Sequence, residues 1–144
     1  MTPSKDKAGP RLMLMALTPE ARAALGGAEL EITAFPFRVG RESRGAQRLA
    51  PRTIAERRKR EARTSNQLYL PEQTEALNVS REHFQIDHNG TGFVLTDRQS
   101  TCGTLVEGRV VGGQNLGGAV LLNDRDVIIV GTSASRYVFK VLVK

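Results

Sequence analysis

The sequence predicts an all-β domain of the β-sandwich class, and three observations support this prediction. Several short segments alternate apolar and polar residues with a period of two, such as residues 29–34 and 84–88, which is typical of half-buried strands. Turn signals, including Asn89-Gly90 and Glu107-Gly108, separate the segments at close spacing. The chain has 144 residues, of which 40% are hydrophobic, and this suits one domain with one core.

The first forty residues predict a tail, a strand, a helix and two more strands. Residues 1–10 are polar and predict a flexible N-terminal tail, and residues 11–17 form an apolar segment of strand length. Thr18 is a good N-cap, Pro19 suits the first helical position and Gly26-Gly27 ends a short helix over residues 19–25. The strand pattern of residues 29–34 is interrupted at Pro36, which suggests an edge strand or a bulge, and it resumes at 37–39.

The second half of the chain contains the densest strand signals. Asn89-Gly90 predicts a hairpin between residues 84–88 and 92–96, and Glu107-Gly108 predicts another between 104–106 and 109–111. The other predicted strands cover residues 68–70, 119–122, 127–130 and 137–143. Residues 11–144 are therefore interpreted as one β-sandwich domain.

The net charge of +6 is concentrated in one segment. Residues 41–63 hold nine Lys or Arg against three Glu, and the rest of the chain holds twelve basic and twelve acidic residues. Thr53 and Glu56 form a capping-box pattern, and residues 54–63 contain helix formers but only one clear apolar anchor, Ile54. We predict an exposed, basic and partly helical loop insertion over residues 42–66.

Several functional classes receive no support from the sequence. No apolar stretch approaches the roughly 20 residues of a membrane helix, and the N-terminus lacks the pattern of a secretory signal, so a cytoplasmic location is expected. Cys102 is the only cysteine and His83 and His88 are the only histidines, which argues against a disulfide or a metal site. No nucleotide-binding glycine motif occurs, and Cys102 has no evident activating base, so neither a cofactor nor an enzymatic activity is predicted.

Three loop segments nevertheless suit the binding of a phosphate group. Arg41 follows a predicted strand and Gly40, and its planar guanidinium can donate two parallel hydrogen bonds to phosphate oxygens. Ser80 and Arg81 precede another strand and add a hydroxyl and a second guanidinium. In the same segment His83 is interpreted as a structural residue that bonds the loop backbone.

The third segment contains Thr101, Cys102 and Gly103, with Gly103 in a turn that requires positive φ or close backbone approach. In combination, Gly40-Arg41, Ser80-Arg81-Glu82-His83 and the segment from Asp97 to Gly108 resemble the forkhead-associated (FHA) domain family. The segment from Leu122 to Gly131 is similar to the late strand-turn-strand signature of that family. The resemblance extends from about Leu12 to Val143.

The resemblance implies an eleven-stranded β-sandwich that binds phosphothreonine peptides through loops at one end and acts in Ser/Thr-kinase signalling without catalysis. The implied phosphopeptide-binding residues are Arg41, Ser80, Arg81, Thr101 and Cys102, and the implied supporting residues are Gly40, His83 and Gly103. Cys102 departs from the asparagine that is usual in the family, and a thiol is the weaker hydrogen-bonding group. Arg125 replaces the usual glycine of the late turn.

Three alternatives to this function remain open at the level of sequence. The chain is also compatible with an FHA-like scaffold that binds its partners, or itself, without phosphate. A polyanion could contact the basic residues 52–63, but no aromatic residue lies among them to stack on bases, so nucleic acid is not the expected partner. Phosphorylation of Thr53, Thr64 or Ser65 could produce a segment that docks onto Arg41. The sequence leaves the oligomeric state open.

Overall fold

The computed structural model describes residues 9–42, 66–71 and 78–144, and these residues form eleven strands and one helix. The prediction of an all-β sandwich with one short helix is confirmed. In chain order the elements are β1 (Leu12–Ala16), α1 (Pro19–Leu25), β2 (Glu29–Ile32), β3 (Phe37–Arg41), β4 (Leu68–Leu70), β5 (Phe84–His88), β6 (Phe93–Asp97), β7 (Thr104–Val106), β8 (Arg109–Val111), β9 (Gly118–Leu122), β10 (Val127–Val130) and β11 (Val138–Val143).

The strands form two sheets that pack face to face. One sheet has six strands in the order β2-β1-β11-β10-β7-β8, and the other has five in the order β4-β3-β5-β6-β9. The paired strands are antiparallel except for β3 and β4, which are parallel. Alternate residues of both sheets point inward and bury one core, whose largest fully buried side chains include Phe84, Phe139, Leu12, Leu14, Leu70, Ile86, Leu95 and Ile128.

Helix α1 forms where the sequence predicts it, and its capping residues explain where it begins and ends. The Thr18 hydroxyl accepts a hydrogen bond from the Ala21 N–H at 3.2 Å, and Pro19 occupies the first turn. Gly26 ends the helix in the left-handed region, with φ of 77°. The helix buries Ala21 and contacts β1, β2 and β4, so it covers the gap between the two sheets on that side.

Pro36 lies in the turn between β2 and β3 and follows a cis peptide bond. Of the strands on either side, β2 is an edge strand, as Pro36 suggested, and β3 is an interior strand between β4 and β5. The predicted flexible tail, except for Gly9 and Pro10, and the predicted helical part of the basic insertion lie outside the described residues.

The antiparallel arrangement divides the connections between two ends of the sandwich. The segments that follow β3, β6, β8 and β10 emerge at one end, which we call the recognition end. The turns at 89–92, 107–108 and 123–126 emerge at the opposite end. All the predicted site residues belong to the recognition end.

Candidate functional site

Strand β3 ends at the predicted site residue Arg41, and the preceding Gly40 lies in close contact with the backbone of Arg81. A Cβ atom on Gly40 would overlap the Arg81 carbonyl oxygen and lie 2.5 Å from the Asn66 amide nitrogen. Only glycine leaves room there for the segment that carries Arg81. Asn66 consolidates the contact, because its Nδ2 donates to the Arg81 carbonyl oxygen at 2.7 Å.

Arg41 extends from the end of β3 towards the same segment. Its backbone N–H donates to the Ser80 carbonyl oxygen at 2.9 Å, and its Nη1 donates to the Val79 carbonyl oxygen at 3.3 Å. The side chain is partly exposed. These bonds hold the guanidinium beside the backbone of Ser80.

Ser80 joins the two loops that contain the second and third predicted segments. Its Oγ accepts a hydrogen bond from the Thr101 backbone N–H at 3.0 Å. A serine hydroxyl has one proton to donate, and the bond from Thr101 occupies a lone pair rather than that proton. The Ser80 hydroxyl is therefore able to donate outward to an acceptor.

Arg81 is exposed, next to Ser80 on the recognition end. Within the described part of the chain, no hydrogen bond or ion pair of its guanidinium is found. The neighbouring Glu82 instead pairs with Arg98, with 3.3 Å between Oε1 and Nη2. This pairing directs the acidic side chain of Glu82 to Arg98 rather than to Arg81.

His83 lies beneath these loops and is fully buried. Its Nδ1 accepts the Ser80 N–H at 2.9 Å, so the ring proton must sit on Nε2, which lies 2.7 Å from the Gly103 carbonyl oxygen. The neutral Nε2-H tautomer thus bridges the Ser80 and Gly103 loops. Both ring nitrogens are used by the backbone, which leaves none to activate the Cys102 thiol.

Asp97 supports the same loop and was not among the residues predicted for the site. One carboxylate oxygen accepts the Ser100 N–H at 2.9 Å, and the other accepts the hydroxyls of Ser100 and Thr104 at 2.6 and 2.9 Å. The Ser100 hydroxyl in turn accepts the Gly103 N–H at 2.9 Å. The carboxylate and both hydroxyls are buried, so this network fixes the loop from Asp97 to Thr104.

A second missed contribution comes from the connection between β8 and β9. The backbone N–H groups of Gln114 and Asn115 donate to the carbonyl oxygens of Thr101 and Ser100, at 2.8 and 3.0 Å. The Thr101 hydroxyl also lies 3.4 Å from Asn115 Oδ1. Gln114 and Asn115 both have positive φ, which is uncommon for residues other than glycine. No sequence pattern predicts this backbone conformation.

The structure therefore brings Arg41, Ser80 and Thr101 together through direct hydrogen bonds and places Arg81 beside Ser80. Cys102 is half-buried in the loop between Thr101 and Gly103, and Gly103 has a φ of 81°. The assembled surface offers guanidinium and hydroxyl donors to a ligand that carries hydrogen-bond acceptors. No group of three or more metal-ligating side chains occurs among the described residues, nor does a helix long and apolar enough to cross a membrane.

Comparison with known families shows the family of the chain. The family model of the FHA domain matches residues 38–131, which is more than half of the chain and includes all eight predicted site and supporting residues. The chain belongs to the FHA domain family. No curated protein matches the sequence.

Solved structures with the same fold come from distant relatives. The kinase-interacting FHA domain of the kinase associated protein phosphatase KAPP from Arabidopsis is 21% identical, with a TM-score of 0.58 over 95% of this chain and 96% of that one. The FHA domain of the CT664 protein from Chlamydia trachomatis is 19% identical, with a TM-score of 0.55 over 92% and 96%. Mycobacterium tuberculosis EmbR, solved with a low affinity phosphopeptide, is 20% identical with a TM-score of 0.57 over 99% of this chain and 28% of EmbR.

Proposed function

We propose that this domain binds phosphothreonine-containing segments of partner proteins and does so without catalysis. The observation that carries the proposal is the direct hydrogen-bonded linkage of Arg41, Ser80 and Thr101 at the recognition end. Membership of the FHA family and the phosphopeptide in the EmbR structure support it.

The role proposed for each site residue follows from the hydrogen-bond donors of its side chain. A phosphate monoester carries close to two negative charges near pH 7 and three acceptor oxygens. Arg41 supplies charge-assisted N–H donors, and the Ser80 hydroxyl supplies a neutral one. Arg81 is proposed to add a further contact to the phosphate or to the peptide backbone, and Thr101 to line the space beside the threonine methyl group.

Cys102 is proposed to lie against the bound peptide without a strong bond to it. A thiol donates and accepts weakly, so a backbone contact made by an amide at this position would be lost. The loss of one such bond corresponds to about 0.5–1.5 kcal/mol. We propose that Cys102→Asn tightens phosphopeptide binding.

The ligand must be made by a Ser/Thr kinase, so we propose that the domain acts in kinase signalling in the cytoplasm, where ATP is present. Because the recognised group is an anion with three oxygens, glutamate in place of phosphothreonine should be a poor substitute. A carboxylate has one charge and two oxygens.

The test is binding to a degenerate peptide library with a fixed central phosphothreonine, beside the same library with threonine. We expect binding to the phosphorylated library only, and a loss of at least tenfold in affinity for Arg41→Ala, because a hydrogen bond to a charged group contributes about 1.5–3 kcal/mol. Arg109→Ala is the matched control, since Arg109 is exposed at the opposite end of the sandwich.

Two results would overturn the proposal. One is equal binding of the two libraries. The other is an Arg41→Ala protein that binds phosphopeptides as well as Arg109→Ala while keeping the wild-type unfolding midpoint.

A further inference from the structure

The outer face of the six-stranded sheet carries more apolar side chains than that of the five-stranded sheet. An antiparallel sheet with one face in water normally alternates inward apolar and outward polar residues. The five-stranded sheet follows this rule for most of its face, with Arg38, Gln85, Asp87 and Thr96 facing outward and the pair of Val94 and Leu121 as the apolar exception. On the six-stranded sheet most outward residues are apolar.

Strand register defines the apolar face. One row of side chains crosses five strands, because Val138 pairs with Ile129, Ile129 with Leu105 and Leu105 with Val110, while the Leu17 N–H donates to the Val138 carbonyl oxygen. The next rows add Met15 and Val127 on either side of Lys140, and Met13 beside Leu142. We call this surface the outer apolar face: Met13, Met15, Leu17, Leu105, Val110, Val127, Ile129, Val138 and Leu142.

These side chains point away from the core. Leu17 and Val110 are 43% and 69% exposed, and the others are partly exposed. None of the nine belongs to the buried core or to the residues that pack against it. The only described helix, α1, makes its contacts with β1, β2 and β4 at the other side of the sheet.

The area of the face is smaller than that of a standard protein interface. Strands about 4.8 Å apart and outward residues about 6.8 Å apart give about 33 Å² per position, so the nine apolar residues and Lys140 cover roughly 330 Å². Contiguous apolar patches of this size are often functional. Two copies that covered each other would bury roughly 700 Å² in total, which corresponds to a weak association.

The apolar row of the face can pack against the same row of a second copy of the chain. Strand β10 is the middle of the five strands, so a two-fold axis along β10 places β1 over β8 of the other copy and β11 over β7. Leu17 then lies over Val110, Val138 lies over Leu105, and Ile129 lies over its own counterpart. Every contact in this row is apolar.

The same two-fold operation places the partly exposed Lys140 of the face opposite a residue of opposite charge. Lys140 pairs with Val127, and the Glu107 N–H donates to the Val127 carbonyl oxygen, so Lys140 and Glu107 lie in one row on either side of β10. The two-fold axis therefore places Lys140 of each copy over Glu107 of the other. A two-fold axis across the strands would instead place Glu29 and Glu31 on β2 over the β2 strand of the partner, where like charges meet.

From this geometry we propose that the outer apolar face forms a symmetric dimer interface between two copies of this chain, with the axis along β10 and Lys140 opposite Glu107. The modest area makes the dimer weak and concentration-dependent. The proposal is independent of phosphopeptide binding.

Sedimentation velocity of the full chain tests the proposal over a concentration series from about 10 µM to about 1 mM, which brackets dissociation constants of the expected order. Wild-type protein is expected to shift from monomer to dimer. Ile129→Lys should stay monomeric throughout, because it places two like charges on the axis. The control Val94→Lys adds the same charge to the outer face of the other sheet and should dimerise like wild type.

A charge exchange tests the orientation. Lys140→Glu should weaken the dimer at least fivefold, and the double variant Lys140→Glu with Glu107→Lys should restore it. If Ile129→Lys does not fold, Ile129→Thr and Leu105→Thr replace it and should weaken the dimer while keeping the cooperative unfolding transition. A wild-type protein that stays monomeric at the highest concentration overturns the proposal, and so does a dimer that none of the outer-face variants weakens.

Discussion

Ser80 connects nearly every part of the candidate site. Its carbonyl oxygen accepts the Arg41 N–H, its N–H donates to His83 and its hydroxyl oxygen accepts the Thr101 N–H. Each of these bonds leaves the hydroxyl proton available. The backbone and the hydroxyl oxygen of Ser80 therefore have a structural role, and the binding role that we propose belongs to its hydroxyl proton.

Substitution of Ser80 should separate these parts. Ser80→Ala keeps both backbone bonds, so we expect the free energy of unfolding to fall by about 1 kcal/mol at most. Phosphopeptide affinity should fall tenfold or more, because a donor to a charged ligand is lost. Titration calorimetry and urea unfolding measure the two effects, with Thr33→Ala at the opposite end as control. Equal losses in the two measurements would contradict a binding role for the hydroxyl.

The candidate site residues and the supports Gly40, His83 and Gly103 could be predicted from short motifs, whereas other supports could not. Arg41, Ser80 and Thr101 stand in recognisable short motifs, and the structure joins them by hydrogen bonds. The contribution of Asn66 depends on a contact across 15 residues, with the Arg81 carbonyl oxygen. Such long-range bonds have no local signature, because they are fixed by how the strands pair.

Among the elements, β3 imposes the strictest steric requirement. Gly40 lies opposite the Arg81 carbonyl in a strand that has neighbours on both sides, so the strand cannot shift away. A positive φ is not the reason for glycine at this position, since its φ is not in the left-handed region. The requirement is space alone.

Gly40→Ala should therefore destabilise the fold by about 1–3 kcal/mol, the usual cost of forcing extra atoms into a packed region. Gly27→Ala is the matched control, because a Cβ on Gly27 would have no atom within 4 Å and its φ is not positive. That control should change stability by about 0.5 kcal/mol or less, or stabilise slightly. Urea unfolding of the two variants decides the matter, and a Gly40→Ala protein as stable as Gly27→Ala would contradict the argument.

The strands and the helix follow closely from local sequence, whereas their arrangement does not. Capping residues and alternation place α1 and the strands to within about one or two residues. The parallel pairing of β3 with β4 and the docking of the 112–117 connection on the Ser100 loop are tertiary features. Alternation states which side of a strand is buried, but it does not state which strand lies beside it.

At the scale of the whole molecule, the positive charge of residues 41–63 belongs to a segment of the chain that starts at Arg41, at the recognition end. A positively charged segment accelerates the approach of an anionic peptide without adding a specific contact. This effect acts over a distance, so salt screens it within about 10 Å at 0.1 M ionic strength.

Replacement of residues 44–64 by a short Gly-Ser linker should test the role of this charge. We expect a slower association of the phosphopeptide at low salt, an unchanged dissociation rate and the disappearance of the difference at high salt. Stopped-flow fluorescence with a labelled phosphopeptide measures the rates. A faster dissociation that persists at high salt would show that the segment contacts the ligand directly.

The pairing of β1 with β11 fixes where polypeptide can be attached. Leu12 pairs with Val143, so the first and last strands begin and end side by side, at the end of the sandwich opposite Arg41 and Ser80. Any chain joined at either point leaves from the far pole. A fusion partner, a linker or a surface attached at either point is therefore joined at the end of the sandwich opposite the candidate site. The attachment point itself does not obstruct the loops that carry Arg41 and Ser80.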